Sequence, residues 1–143
     1  MTSISVEDHV AIQNLIGEYQ WLVDDGDSEG WAALWTADGA FVGGATEPFV
    51  GHEALKGVPA WVKASWNGQL RHTTGSMFIR YGADQDEAIA KYYSLVTTWH
   101  EEPPALFVCA LSEMTLVRVD GRWKIRRNAV TNLGKTREPG AAS

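Results

Sequence analysis

Asp24 and His72 are the residues best able to move a proton in this chain. The run Asp24-Asp25-Gly26-Asp27 gathers three carboxylates at the end of a helical segment. The helix dipole is negative there and disfavours each carboxylate by roughly 0.3–1 kcal/mol. Asp25 and Asp27 read as a solvated acidic turn, with Asp27 able to cap the next helix. Asp24 differs because it directly follows Leu22-Val23 and lies nearest the apolar stripe of the helix. A carboxylate can orient an imidazole and stabilise its protonated form. His72 stands near the start of a long strand, in Leu70-Arg71-His72-Thr73-Thr74. Period-2 alternation puts His72, Thr74, Ser76 and Phe78 on one face, and Arg71, Thr73, Gly75, Met77 and Ile79 on the other. A face that runs from polar to apolar suits a pocket entrance; an ordinary half-buried histidine bonded within the sheet is the alternative. Tyr19 lies five residues before Asp24, roughly 140° around an ideal helix. The two share a pocket only if it wraps the helix end or the last turn unwinds.

The remaining chemistry-bearing residues offer less. His9 reads as surface, His52 as flanking a helix, and His100, beside Glu101-Glu102, as a residue that could reach the pocket rim. No two histidines have helical ligand spacing, which argues against a metal site. Cys109 is the single cysteine, so no internal disulfide forms, and it reads as a small buried hydrophobe. Nucleophile-elbow, phosphate-loop and dinucleotide signatures are missing. Trp31 and Trp35 lie on the segment after Asp24, and at least one is expected to line the pocket, with Phe41 beyond them. Tyr92 and Tyr93 occupy opposite faces of one strand, and Tyr92 is taken as the inward one. Asn128 is a candidate polar wall residue, and Thr74 shares the face of His72.

These residues need elements to hold them. Ser5 to Asp24 carries Ile12, Leu15, Ile16, Tyr19, Leu22 and Val23 at helical spacing, with Gly26 as a stop. Glu29 to Trp35 reads as a short second helix, Thr36-Ala37-Asp38-Gly39 as a turn, and Ala40 to Val42 as a strand able to pair with Phe49-Val50. A third helix is expected over residues 51–65, broken near Pro59. Then come four strand-like runs, Gln69 to Tyr81, Glu87 to Glu101, Ala105 to Val119 and Arg122 to Val130. Asp120-Gly121 marks a two-residue hairpin between the last two. Helices followed by a long meander predict an α+β fold in which the helices cover one sheet face. The strand lengths suggest a cone-shaped α+β barrel, with N-terminal helices packed on a strongly curved, mainly antiparallel sheet.

The chain has 143 residues, 45% hydrophobic and 21% charged, which suits one globular domain over 1–133 and a loose tail over 134–143. A net charge of −6 with no basic run argues against nucleic acid and anionic membranes as partners. With no signal-peptide pattern and no apolar run long enough to span a bilayer, a cytoplasmic location is expected. Seven tryptophans favour apolar pockets and interfaces.

The order of elements resembles the nuclear transport factor 2-like superfamily, in its SnoaL-like branch. The strings that carry the resemblance are Tyr19-x4-Asp24, Asp27-x3-Trp31-x3-Trp35-x2-Asp38-Gly39, Phe49-x-Gly51-x2-Ala54-Leu55, Arg71-His72-x2-Gly75 and Asp120-Gly121-x-Trp123-Lys124-Ile125. Tyr19, Asp24 and His72 resemble the catalytic positions of bile-acid 7α-dehydratase and, more loosely, scytalone dehydratase. The resemblance implies a lyase without a cofactor, most simply a dehydratase acting by Asp–His acid–base chemistry on a small hydroxylated alicyclic or aromatic compound. The next strand offers Thr97, Thr98 and His100 but no acid before Glu101. That departure leaves room for C–C cleavage with loss of an aldehyde, and for isomerase, cyclase or non-catalytic binding roles, which this fold also hosts. The resemblance also implies a homodimer or homotrimer packed through the outer sheet face.

Overall fold

A computed structural model describes residues 3–43, 47–99 and 103–133. Helix α1 spans Val6–Asp25. Ser5 caps it by accepting a hydrogen bond from the Asp8 backbone N–H, and Gly26 ends it in the left-handed conformation that glycine adopts without a Cβ clash. Ile12, Ile16, Tyr19 and Val23 are buried, as the stripe predicts, and the polar Gln20 and Asp24 are buried with them. Asp27 caps α2 (Ser28–Ala33) through the Gly30 N–H. Trp35 opens strand β1 (Trp35–Val42) instead of ending the second helix. The stretch from Thr36 to Gly39 is therefore strand, not turn. Its turn chemistry shows as an irregularity, because pairing with the last strand jumps from Trp35 opposite Ile125 to Ala40 opposite Arg127. Strand β2 (Phe49–Val50) pairs antiparallel with β1. The third helix is two pieces, α3 (His52–Leu55) and α4 (Gly57–Ser65). The break precedes Pro59, which sits in the first turn of α4 where its missing N–H has no helical acceptor to lose.

Strands β3 (Leu70–Tyr81), β4 (Glu87–Thr98), β5 (Ala105–Val119) and β6 (Arg122–Leu133) form the meander. Asp120 and Gly121 both take positive φ in the β5–β6 hairpin, as a type I′ turn requires. The α+β class holds, but the expected barrel does not form. The six strands make one open sheet, ordered β2-β1-β6-β5-β4-β3, neither closed nor strongly curved. Closure needs the two end strands to hydrogen-bond to each other. Here β2 and β3 lie at opposite edges, and α1 instead packs on β3, β6 and α4 across one face. Long strands thus built a broad open layer because helices, not strand pairing, cover its core. The sheet is mixed, since β1 runs parallel to β6 while the other pairs are antiparallel.

A second correction concerns β3. Its register with β4 shifts between Gly75 and Phe78, and Ser76 takes φ +51°. The extra residue reverses the faces. Leu70, His72 and Thr74 turn inward before the bulge, and Met77, Ile79 and Tyr81 after it. Ser76 and Phe78 therefore do not share the face of His72, and Phe78 is exposed.

Between helices and sheet lies a core with Ile12, Ile16, Trp31, Trp35, Met114, Leu116 and Ile125 fully buried. At the end of β3 away from His72, Asp8 joins four elements. It accepts from Tyr81 Oη at 2.6 Å, from Trp123 Nε1 at 3.0 Å and from Arg118 Nη2 at 3.0 and 3.1 Å. Among the described residues no helix is long and apolar enough to cross a membrane. The expected loose tail, 134–143, lies outside the described residues.

Candidate active site

The last turn of α1 meets the start of β3, which brings Asp24 and His72 together across 48 residues of sequence. His72 Nδ1 lies 2.6 Å from Asp24 Oδ1, and the His72 backbone N–H donates to Asp24 Oδ2 at 3.0 Å. Both carboxylate oxygens thus hold one residue. A carboxylate can only accept, so Nδ1 carries a proton, and in the neutral ring Nε2 keeps the free lone pair. Asp24 is buried, while 19% of the His72 side chain is exposed. The ring is reachable and its anchor is not.

A cavity of about 260 Å³ lies between the helices and the sheet. Val23, Val58, Val62, Leu70 and Val96 supply apolar wall. Tyr19, Gln20, His72, Ser94 and Ser112 supply polar points, and among the described residues no Lys, Arg, Asp or Glu lines it. Trp61 and Phe107 line it while remaining about half exposed, so they mark its opening. Trp66 packs between them, with ring centroids 5.7 Å from Trp61 and 5.3 Å from Phe107. A second cavity of about 370 Å³ is lined by Asp24, Thr73 and Thr74, and His72 and Gln20 border both. Helix α1 stays wound to Asp25, so Tyr19 and Asp24 keep their ideal separation. His72 borders both cavities: Tyr19 lines the first, and Asp24, which lines the second, holds the histidine.

Tyr19 is fixed from behind. Asn128, fully buried, donates from Nδ2 to Tyr19 Oη at 3.1 Å. That bond occupies a lone pair of the phenol oxygen and leaves its proton to point elsewhere. Burial pushes the Tyr19 hydroxyl well above its ordinary pKa, with Tyr92 adding to the rise and the Asn128 bond opposing it. Tyr19 is therefore a donor at neutral pH, not a base. Burial likewise pushes Tyr92 up to about 12, opposed by nearby Ser112 and Asn128. The Tyr92 hydroxyl lies near those two side chains without meeting hydrogen-bond geometry to either.

Residues 5–129 match the family described as the SnoaL-like domain. The chain belongs to the SnoaL-like family. Solved structures agree on the fold. Aln2 from a Streptomyces species superimposes with a TM-score of 0.83 at 22% identity, covering 92% of this chain and 94% of that one. An NTF2-like protein with a cystatin-like fold from Novosphingobium aromaticivorans gives 0.81 at 23% identity, over 90% and 83% of the two chains. A candidate scytalone dehydratase from the same organism gives 0.77 at 21% identity, over 96% and 97%. Proteins of curated function give no match.

Within this SnoaL-like domain the sequence-derived site residues divide. Tyr19, Phe41 and His72 line the first cavity, and Asp24 holds His72. Thr74 lines the second cavity instead. Trp31 and Trp35 do not reach either one. They pack behind Tyr19, with ring centroids 5.2 and 6.1 Å from it, because their apolar bulk fills the core under α2. Tyr92 is the inward tyrosine of its pair but is covered by the core, and Asn128 bonds Tyr19 from the core instead of forming wall. His100 lies outside the described residues. Sequence reasoning missed Gln20, Ser94, Ser112, Trp61, Trp66 and Phe107. Gln20 carried a signal, since it sits four residues before Asp24, on the same helix face. Ser94 and Ser112 interrupt the apolar face of their strands in the same way.

Proposed function

We propose that this SnoaL-like protein is a cofactor-independent lyase, a dehydratase acting on a small hydroxylated alicyclic or aromatic compound. One observation carries the reading: Asp24 fixes the His72 imidazole through Nδ1, in the wall of a cavity that Tyr19 also lines. The structural likeness to a candidate scytalone dehydratase supports it at the level of the fold.

The residues divide the work. Nε2 takes a proton from the carbon next to a carbonyl, and the C–H electron pair moves onto the carbonyl oxygen. Tyr19 donates to that developing oxyanion from a water-poor site, where such a bond is worth more than in water. Asp24 stabilises the imidazolium that results. When the enolate re-forms its carbonyl, the electron pair expels the hydroxyl on the next carbon. His72 returns its proton to that hydroxyl, and water leaves. One base performs both transfers, because β4 presents only Ser94 and Val96 to the cavity and neither is an acid.

The same pair could drive C–C cleavage with release of an aldehyde, and product mass distinguishes the two. The experiment is a screen of hydroxylated cyclic ketones by mass spectrometry, with His72→Ala as control. Loss of one water that depends on His72 supports the proposal. A product of unchanged mass makes the protein an isomerase or cyclase, and turnover unaffected by His72→Ala removes the mechanism.

Assembly as a homodimer or homotrimer is part of the same proposal. Tyr93 and Leu95 on β4 and Leu133 on β6 are exposed, with Cys109 and Leu111 between them on β5. Such an apolar sheet face suits a second copy of the chain.

A further inference from the structure

We infer that the outer face of α1 docks another protein, through an amphipathic helix that carries lysine or arginine beside its apolar stripe. Helix α1 has two apolar stripes. Ile12, Ile16, Tyr19 and Val23 fill the core. Val6, Val10, Gly17 and Trp21 form the second stripe, about 60° wide at 3.6 residues per turn. That stripe is uncovered: Val6 is 75% exposed, Val10 57% and Trp21 70%. Single exposed apolar residues are ordinary, but several aligned on one helix form a patch of the kind that partners cover. Gly17 gives the patch its relief. Glycine weakens a helix interior relative to alanine, and a Cβ at this position would meet nothing within 4 Å. Packing within the chain therefore does not call for its small size. Beside it lies the second cavity, about 370 Å³, walled by Trp21 from α1 and by Thr73 and Thr74 from β3. An incoming aliphatic side chain fits over Gly17 next to the projecting indole. Helix-in-groove recognition works through such anchors at helical spacing.

Charge selects the partner. Helix α1 contains no Lys or Arg. Its exposed carboxylates Glu7, Glu18 and Asp25 all lie on one flank of the stripe, within about 60° of Trp21. Two α1 helices packed antiparallel about a two-fold axis would press this acidic flank against itself, Glu7 of one copy toward Asp25 of the other. Like charges so placed are penalised. An anionic membrane is repelled by the same flank and by the net charge of −6. On the β3 border Arg71 already spends Nη1 on the carbonyls of Gly68 and Leu70. A partner helix with basic residues on one flank and leucine-like residues on its stripe satisfies both features of this face. The docking surface is separate from the opening at Trp61 and Phe107, so the first cavity stays accessible when it is covered.

The test is calorimetric titration with a helical peptide of about 18 residues, long enough to hold a helix in water, with leucine on one face and lysine beside it. Two control peptides carry glutamate for lysine or serine for leucine. Wild type should bind the basic amphipathic peptide at least about tenfold tighter than either control, in about 0.15 M salt to screen weak encounters. Amide shifts in ¹⁵N spectra should map to α1 and residues 71–74. Gly17→Gln, which fills the hollow with a good helix former, and the triple variant Glu7→Gln, Glu18→Gln, Asp25→Asn should each weaken binding about tenfold. No binding, equal binding of the three peptides, shifts centred on Tyr93 and Leu95, or affinity that survives both variants overturns the inference. A wild-type oligomer that Trp21→Ser abolishes in light scattering also overturns it, because a second copy then covers the stripe. The peptide comparison on wild type stands even if a variant fails to fold.

Discussion

Replacing Asp24 with asparagine changes one atom and, on this geometry, moves one proton. The carboxylate has two acceptors, whereas the amide has one acceptor and one donor. The His72 backbone N–H can only donate, and it now bonds Oδ2 at 3.0 Å. The asparagine oxygen must therefore take that place. The NH₂ group then faces Nδ1, where Oδ1 now sits at 2.6 Å. Two donors cannot share that contact, so Nδ1 becomes an acceptor and the ring proton moves to Nε2. The nitrogen that should receive the substrate proton is then occupied. General acid–base catalysis contributes ~10²–10⁴ in rate, and a loss of ~10³ in kcat/KM corresponds to about 4 kcal/mol of barrier. The assay has two arms: initial rates of water loss, and long-range ¹H–¹⁵N spectra of the neutral imidazole, which separate the tautomers. Wild type should show Nδ1–H, and Asp24→Asn should show Nε2–H. A variant that turns over like wild type, or that keeps Nδ1–H, would refute the reasoning.

Four further outcomes follow from the structure. Burial alone would raise the Asp8 carboxyl, but hydrogen bonds from Arg118, Tyr81 and Trp123 outweigh it and hold the group well below the usual carboxylate range. Its stabilisation is present above the unfolded aspartate value of about 3.9 and is lost as pH falls below it. Asp8→Asn should therefore lose about 2 kcal/mol in urea unfolding at pH 7, with the gap to wild type narrowing below about pH 4; equal stability at pH 7 counts against it. Tyr19→Phe should lower kcat ~10²-fold with the fold intact, as removal of one oxyanion donor does. The wild-type pH–rate profile should show no limb from Tyr19 up to pH 10.0, because burial raises that hydroxyl above it. Light scattering should give a dimer or trimer for wild type and a monomer for the Tyr93→Lys, Leu95→Lys double variant, whereas a monomeric wild type removes the self-association proposal.

The helical half of the fold was legible because its signals are local. Ser5, Gly26 and Asp27 are caps that act within a few residues, and the helix ends they mark in sequence and structure agree to about one residue. Asp120-Gly121 is equally local. The open sheet was not legible, because closure depends on whether β2 meets β3, and no short stretch of sequence encodes that. The faces of β3 were legible only up to Gly75. A strict alternation cannot register an inserted residue, and the bulge at Ser76 reversed everything after it. Asp24 was visible because it directly follows Leu22-Val23 at the apolar stripe, and His72 because it stands near the start of a long strand whose face runs from polar to apolar. The tryptophans misled because large aromatics fill cores as readily as they line cavities. Trp31 and Trp35 do the first, and Trp61 and Trp66 do the second.

The bulge in β3 has a consequence for behaviour at high concentration. An open sheet leaves β3 as a twelve-residue edge whose outward backbone groups have no neighbouring strand among the described residues. A long flat edge of that kind templates the addition of foreign strands and leads to aggregation. The kink at Gly75 and Ser76 interrupts the row of donors and acceptors midway. Exposed Arg71 and Arg80 set a positive charge on either side of it. A visiting strand would find two short, misaligned stretches in place of one continuous ladder. The residue that turns Ile79 into the core thus also guards the border of the sheet, and Ser76 deletion would expose that border to polymer growth.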